Sequence, residues 1–353
     1  MDTITHALLG ALVAQTTAVK SSRLTTGERL TLGAAAGAFP DIDFLGFLWH
    51  PLVFLADWHQ GPTHSLLLLP VWAALLAVGF AWATGKRAAL VEAGLVAGLA
   101  IASHIASDLI TSYGTQVLAP LSEQRVALDW VFVIDPLFTA IVLFALILSH
   151  RLAARRVAIA LAGLGVLVAY VAGLALLQRQ ALDVGQSLVH AEALHPAEVV
   201  AVPQPFSPFN WAVIVVSGDR YHRGWVNLAG HPPWVPDWPG LGVLRALAES
   251  YRGPDEVQWQ QWHRHGAIAE ERELVATLWA KPEFAPFRRF AVLPSLSRIV
   301  RGPEDTCVWF TDLRYDLPAL PDTFRYGFCR ENRDADWQLY RLRYFTEDQR
   351  QRL

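Results

Sequence analysis

Charge is scarce in this 353-residue sequence: Asp, Glu, Lys and Arg together make up 17%, against roughly 25% in an average soluble chain. The scarcity is uneven. Hydrophobic residues reach 53% overall, and most of that excess falls before about residue 180. An ordinary soluble fold is thereby excluded for the first half, while Trp, Pro, Arg and Asp return at normal density in the second. Basic excess is also missing. A formal net charge of −3 supplies no positive field for a phosphate backbone, so no nucleic-acid partner is expected. A cleavable-signal pattern is lacking too. Met1-Asp2-Thr3 is not a positively charged start, and no Ala-x-Ala site follows the first apolar run. Cysteine is limited to Cys307 and Cys329, both in the second half. An oxidising compartment permits a bond between them, and two unpaired buried thiols are the alternative.

What the sequence does have is apolar length. A bilayer crossing needs about 20 residues, and three stretches supply it: Ser65 to Ala83, Ala88 to Ile110 and Val157 to Leu177. Trp130 to Ser149 joins them if its single Asp135 is accommodated. Thr3 to Ala18 and Leu30 to Phe39 are shorter, the second stopping at Pro40. Their connection holds Lys20, Arg23 and Arg29, which must reach water or headgroups, so the pair reads as a spanning hairpin. Six helices result. Three connections then share one face and carry Lys20, Arg23, Arg29, Lys86, Arg87, Arg151, Arg155 and Arg156, whereas the opposite connections offer Arg125. The positive-inside rule puts the first set in the cytoplasm. The expected architecture is a polytopic α-helical membrane domain of about six helices over residues 1–180. A mixed α+β domain over residues 181–353 follows, outside the cytoplasm of a bacterial or archaeal cytoplasmic (inner) membrane.

Polar residues inside apolar helices are costly and need a reason. Here they gather at one set of helix ends: Asp2 and His6, then Asp41 and Asp43, then His59 and His64, then His104 and Asp108, and finally Asp135. In the topology just derived, all of them lie toward the external face. His104 and Asp108 are i,i+4, so on a helix their side chains share a face about 5–6 Å apart, which suits two donors to one ion. Asp41 and Asp43 follow Pro40, which argues against regular helix, and in an extended segment the two would share a face. Gly61-Pro62 between His59 and His64 reads as a turn into a helix starting near Thr63. Imidazole with carboxylate suits zinc, manganese or iron better than calcium or magnesium. A helix-capping role is the alternative for Asp41, Asp43 or Asp135 taken singly.

In this order, Met1-Asp2 with Thr5-His6, Pro40-Asp41-Ile42-Asp43, His59 to Ser65, His104 to Thr115 and Asp135-Pro136 resemble the membrane-bound metal-dependent hydrolase family of bacteria and archaea. The likeness covers about residues 1–140. Gln60 stands where that family usually has Arg. The helical His/Asp site is also distantly similar to that of zinc-dependent phospholipases C. On that likeness Asp41 (or Asp43), His64 (or His59), His104 and Asp108 hold one ion, and His6 joins a second ion bridged by Asp108.

The second half reads as mixed α and β. Pro205 to Val226, Thr306 to Tyr315 and Trp337 to Phe345 are strand candidates; Leu241 to Tyr251 and Glu270 to Trp279 have helical character. A proline-rich loop runs from His231 to Gly240. Its many Trp residues read as aromatic core, with sugar stacking or the membrane surface as alternatives. The expected function is metal-dependent hydrolysis of an ester or phosphoester, plausible substrates being a membrane lipid or lipid-linked molecule reached from the leaflet. Asp43 and Asp135 are the candidate proton acceptors. Two rivals stand beside it. A proton-coupled transporter would place acids deeper in other helices, where Glu92 is the one example. A sensor or scaffold would hold a structural metal in a closed shell.

Overall fold

The computed structural model describes residues 1–232, 234–303, 305–332 and 334–353. Pro233, in the proline-rich loop, lies outside the described residues. The chain divides into two compact units, one of Met1–Trp49 with Trp58–Leu176 and one of His50–Asp57 with Leu177–Leu353.

The first unit is helical. Helices α1 (Thr3–Thr16) and α2 (Thr26–Ala38) form a hairpin, and both begin on built caps. Asp2 accepts from the Thr5 amide; Thr25 and Glu28 form a reciprocal capping box. The two helices cross with almost no side-chain gap. A Cβ on Gly10 would lie 2.3 Å from the Gly33 carbonyl oxygen, and one on Gly37 would lie 2.5 Å from that of His6. No larger residue fits at either position. A 3-10 helix, Phe39–Leu48, follows α2. The single-turn helix α3 (Pro51–Val53) comes next, then α4 (Leu69–Thr84), α5 (Leu90–Leu109), α6 (Pro136–Arg151) and α7 (Arg156–Ala191).

Helices therefore stand at all six expected apolar stretches, but fewer than six meet the length for a crossing. Among the described residues, Arg87–Leu109 and Ala153–Ala191 are long and apolar enough to span, and Pro136–Arg151 is a shorter apolar helix. A third span arises only if Pro51–His64 and Leu69–Thr84 count together, and these are bent by 70°. The break corrects the expectation of one straight helix from Ser65. Pro70 in the first turn of α4 has no N–H to continue a helix from upstream, and Ser65 is extended, at ψ 130°. Helices α1 and α2, with 14 and 13 residues, fall short of a full crossing.

The second unit holds two antiparallel sheets. One has the order β1 (Glu198–Pro203), β2 (Asn210–Ser217), β3 (Arg220–Asn227), β4 (Gln260–His263). The other runs β5 (Pro294–Arg301), β6 (Thr306–Asp312), β7 (Tyr326–Arg330), β8 (Gln338–Leu342), β9 (Arg350–Arg352). The strand candidate from Pro205 to Val226 is a hairpin, β2 and β3, turned at Gly218 with φ +62°. Leu177 and Ala181 of α7 pack on Ala201, Trp211 and Val226 of the first sheet. Helix α8 (Gly242–Glu249) adds Leu247 to a second cluster with Val202, Ala212, Trp225 and Tyr251. Helices α9 (Ala269–Ala280) and α10 (Ala285–Phe290) bring Trp279 and Phe287 to an aromatic cluster with Phe284, Phe310 and Phe328. Trp211, Trp225 and Trp309 are core, as favoured from sequence, whereas Trp234 and Trp238 are exposed. Cys307 and Cys329 face each other across β6 and β7 and are disulfide-bonded.

Candidate metal centre

Four helix ends of the first unit meet around Asp108. The Asp2 cap sets His6 one turn into α1. His104 and Asp108 lie on the last turn and a half of α5, sharing a face as their spacing requires, with Nε2 to Oδ2 at 3.2 Å. His64 closes the 3-10 turn Pro62–His64 and brings its Nε2 to 3.2 Å from the same oxygen. His6 Nε2 lies 3.1 Å from the other oxygen, Oδ1, beside which the Met1 ammonium also sits. Asp41 Oδ1 is 3.8 Å from both His64 Nε2 and His104 Nε2. Two groups of three donors result, His6 with His104 and Asp108, and Asp41 with His64 and His104. Within each, the ligating atoms all lie within 4.8 Å of one another, and all five side chains are buried.

The far ring nitrogens are held. His104 Nδ1 lies 2.6 Å from the Gly37 carbonyl oxygen. A carbonyl can only accept, so Nδ1 carries the proton and Nε2 of the neutral ring presents a lone pair. His6 Nδ1 is 3.2 Å from Ser107 Oγ, and His64 Nδ1 is 3.0 Å from Thr63 Oγ1. Thr3 Oγ1 donates to Asp41 Oδ2 at 2.5 Å. With the outer atoms engaged, the inner ones are left over: His6 Nε2, His64 Nε2, His104 Nε2 and Asp108 Oδ2 are buried and, apart from their close approach to one another around the Asp108 carboxylate, have no hydrogen-bond partner. Such atoms cost free energy unless something fills the space they face. Three imidazole nitrogens and two carboxylates gathered in two overlapping groups are a donor set for a divalent ion.

Asp43 and His59 stand outside both groups. The reason is the backbone: Phe39–Leu48 is a 3-10 helix rather than extended chain, with three residues per turn, so positions two apart point about 120° away from each other. Asp41 turns to the cluster. Asp43 turns to His59 Nδ1 at 3.1 Å and the Gln60 amide at 3.0 Å, and its Oδ2 lies 3.5 Å from His64 Nδ1. Asp43 is thus an orienting carboxylate for two imidazoles. Asp135 is brought to neither group. Its Oδ1 caps α6 by accepting from the Leu137 and Phe138 amides, as the capping alternative had it, and Oδ2 accepts from Tyr170 Oη at 2.8 Å. At Gln60, the departure from the family pattern, Oε1 accepts from Thr115 Oγ1. Arg125 reaches the neighbouring backbone and donates to the His59 and Gly114 carbonyls. Sequence reasoning did not single out Thr3, Ser107 or the Gly37 carbonyl. Ser107 beside Asp108 and Thr3 one turn before His6 were readable as neighbours, whereas a backbone carbonyl leaves no mark in a sequence.

A helical unit with membrane-length apolar helices and a buried polar cluster defines an integral membrane protein. Residues 1–181, just over half of the chain, match the YdjM inner membrane protein family, and the chain belongs to that family. The matched region contains every residue of the cluster. The chain is also similar to a curated protein, "Uncharacterized protein YfhP" of Bacillus subtilis (strain 168), at 29% identity over 140 residues. That alignment covers 38% of this chain and 42% of the relative, so the chain spans under half the length of the curated relative it matches. No solved structure matches the chain.

Proposed function

We propose that this membrane protein is a metal-dependent hydrolase acting on an ester or phosphoester bond of a lipid or lipid-linked substrate. The observation that carries the reading is the convergence of four buried, unpartnered His and Asp atoms. Asp41, His64 and His104 are the ligands for one ion, with His6 and Asp108 available to a second; zinc fits the donors, and manganese or iron are the alternatives. A bound divalent ion supplies a water made acidic enough to deprotonate near neutral pH and polarises the oxygen of the bond under attack. The chain's own part is positional and acid–base. Gly37, Ser107 and Thr63 hold the outer ring nitrogens and so keep the inner ones aimed. Thr3 fixes the Asp41 carboxylate. Asp43 with His59 forms the proton-accepting pair: a neutral imidazole takes the proton, and the carboxylate on its Nδ1 steadies the resulting charge.

The topology that goes with this reading has Arg87–Leu109 and Ala153–Ala191 crossing the cytoplasmic membrane, the cluster at its outer edge and the sheet-bearing unit outside. It is supported by the basic residues in the alternate connections and by the disulfide, which persists in oxidising compartments. The transporter reading is less well supported, because Glu92 is engaged by Arg29 at 2.6 Å and is not a free relay group. The test uses full-length protein in lipid nanodiscs supplied with zinc or manganese. Mass spectrometry should find ester or phosphoester products from phospholipids or glycolipids that vanish with a chelator and in Asp108→Ala. Stoichiometric metal without turnover of any such lipid would favour the sensor or scaffold reading instead.

A further inference from the structure

The sheet-bearing unit contains a cavity of about 500 Å³ that the hydrolase reading does not use, within the 300–1,000 Å³ range of small-molecule sites. Its walls come from β3, the end of α8, the 250–260 segment and residues 316–322. We infer that this cavity is a second binding site, for a neutral, hydroxyl-rich ligand of the saccharide class. The inference goes beyond the proposed hydrolysis and does not depend on it.

The floor is a fixed guanidinium. Arg223 is 5% exposed and sits 4.6 Å from the ring centres of both Trp225 and Trp262. It donates through Nη1 to Asp316 Oδ2 at 2.6 Å and through Nη2 to Gln260 Oε1 at 3.1 Å, while its buried Nε has no partner. A donor held this rigidly and left unpaired is unusual inside a protein. Around it stand side chains with unspent hydrogen-bonding groups among the described residues: the Arg252 guanidinium, the Gln258 amide and the Glu249 carboxylate, all lining the cavity.

The balance of those groups selects the ligand. Glu249 and Asp322 line the cavity beside the Arg252 guanidinium, and Arg223 is paired with Asp316. A phosphate or other anion is therefore disfavoured. A metal cation is no better served, since Asp316 accepts from Arg223 and from Thr311 Oγ1, and Asp322 accepts from Ser297 Oγ. Donors and acceptors interleaved at close range suit ligand hydroxyls, which both give and take. Trp225 is not a stacking platform here. Arg223 lies over its ring and Tyr251 meets it edge-on, so the indole holds the guanidinium that would bind the sugar.

Saturation-transfer NMR on the full-length protein in phospholipid nanodiscs tests this, with methyl glycosides of glucose, galactose and mannose and with N-acetylglucosamine as probes. At least one probe should bind. Arg252→Ala and Gln258→Ala, both on partly or fully exposed side chains, should each weaken it about tenfold or more, as loss of a charge-assisted or neutral hydrogen bond implies. Absence of transfer to every probe would overturn the inference. So would binding that both variants leave unchanged, or displacement of the sugar by millimolar inorganic phosphate, which would mark an anion site.

Discussion

The two ends of the helical unit both bury polar side chains, and they do so in opposite ways. At one end Arg29, 1% exposed, is fully engaged: it donates to Thr17 Oγ1, to Ser22 Oγ and to Glu92 Oε1. Glu92 also accepts from the Arg23 amide, and Lys86 pairs with Glu28 at 2.8 Å. Arg29 and Lys86 each meet a carboxylate of the chain, and the atoms left over at this end, those of the Gln15 amide and Arg156 Nε, are not gathered into a set of metal-ligating side chains. At the other end His6, His64, His104 and Asp108 keep four buried atoms without partners, although their outer atoms are carefully held. A closed network completes a fold; an inward-facing set of unspent donors awaits a ligand. The comparison explains why two equally polar sets of residues in one apolar domain are given different roles.

Substitutions at the two ends should separate those roles. The largest effect is expected from Asp108→Ala, which removes the carboxylate shared by three imidazoles. Bound divalent metal, measured by elemental analysis, should fall to background while the folded helical content by circular dichroism persists. Arg29→Met should do the reverse. Arg29 is buried and its partner Glu92 half-buried, so losing the guanidinium should shift unfolding in denaturing detergent to milder conditions, with metal content per folded chain unchanged. Equal losses of metal in both variants would erase the distinction between the ends.

Smaller changes sharpen it. Asp43→Asn keeps the shape but weakens the hold on His59 and His64; metal affinity should drop roughly 10–100-fold, read by competition with a chromogenic chelator, without loss of fold. A further contrast concerns a pair in the sheet-bearing unit, Arg223 with Asp316. Burial and the nearby Asp322 push the Asp316 carboxyl up from 3.8 to about 7, against the pull of Arg223. The unfolded chain therefore releases this proton first. Stability from this group should decline as pH rises from about 4 to about 7 and then level off, and Asp316→Asn should flatten that decline in urea unfolding followed by tryptophan fluorescence.

The pattern of helix ends was legible before any coordinates. His104 and Asp108 carry their geometry in their spacing, and His6, Asp41 and His64 could be grouped because apolar helices leave few other reasons for such residues. The division of labour between Asp41 and Asp43 was not legible, because it depends on a 3-10 helix that the Pro40 signal did not distinguish from extended chain. The cap at Asp135 was legible before its Pro136, whereas its tie to Tyr170 on another helix leaves no local mark. Strand β1 was missed for a related reason: Val199, Val200, Ala201 and Val202 lack alternation, which is the signal a half-buried strand gives. The second unit also takes in His50–Asp57 from the first half of the sequence, where Asp57 pairs with Arg289 at 2.8 Å. Hydropathy carries no record of such a tie.

The central claim is that the unspent atoms around Asp108 are metal ligands. X-ray absorption on purified full-length wild-type protein, isolated without chelators and quantified for metal in the same sample, tests it most directly. The account predicts one or two divalent ions per chain, with nitrogen and oxygen neighbours at about 2.0–2.2 Å if the metal is zinc and an imidazole scattering signature that weakens in His104→Ala. Folded wild-type protein that carries no metal and takes none up from micromolar zinc, manganese or iron would contradict it.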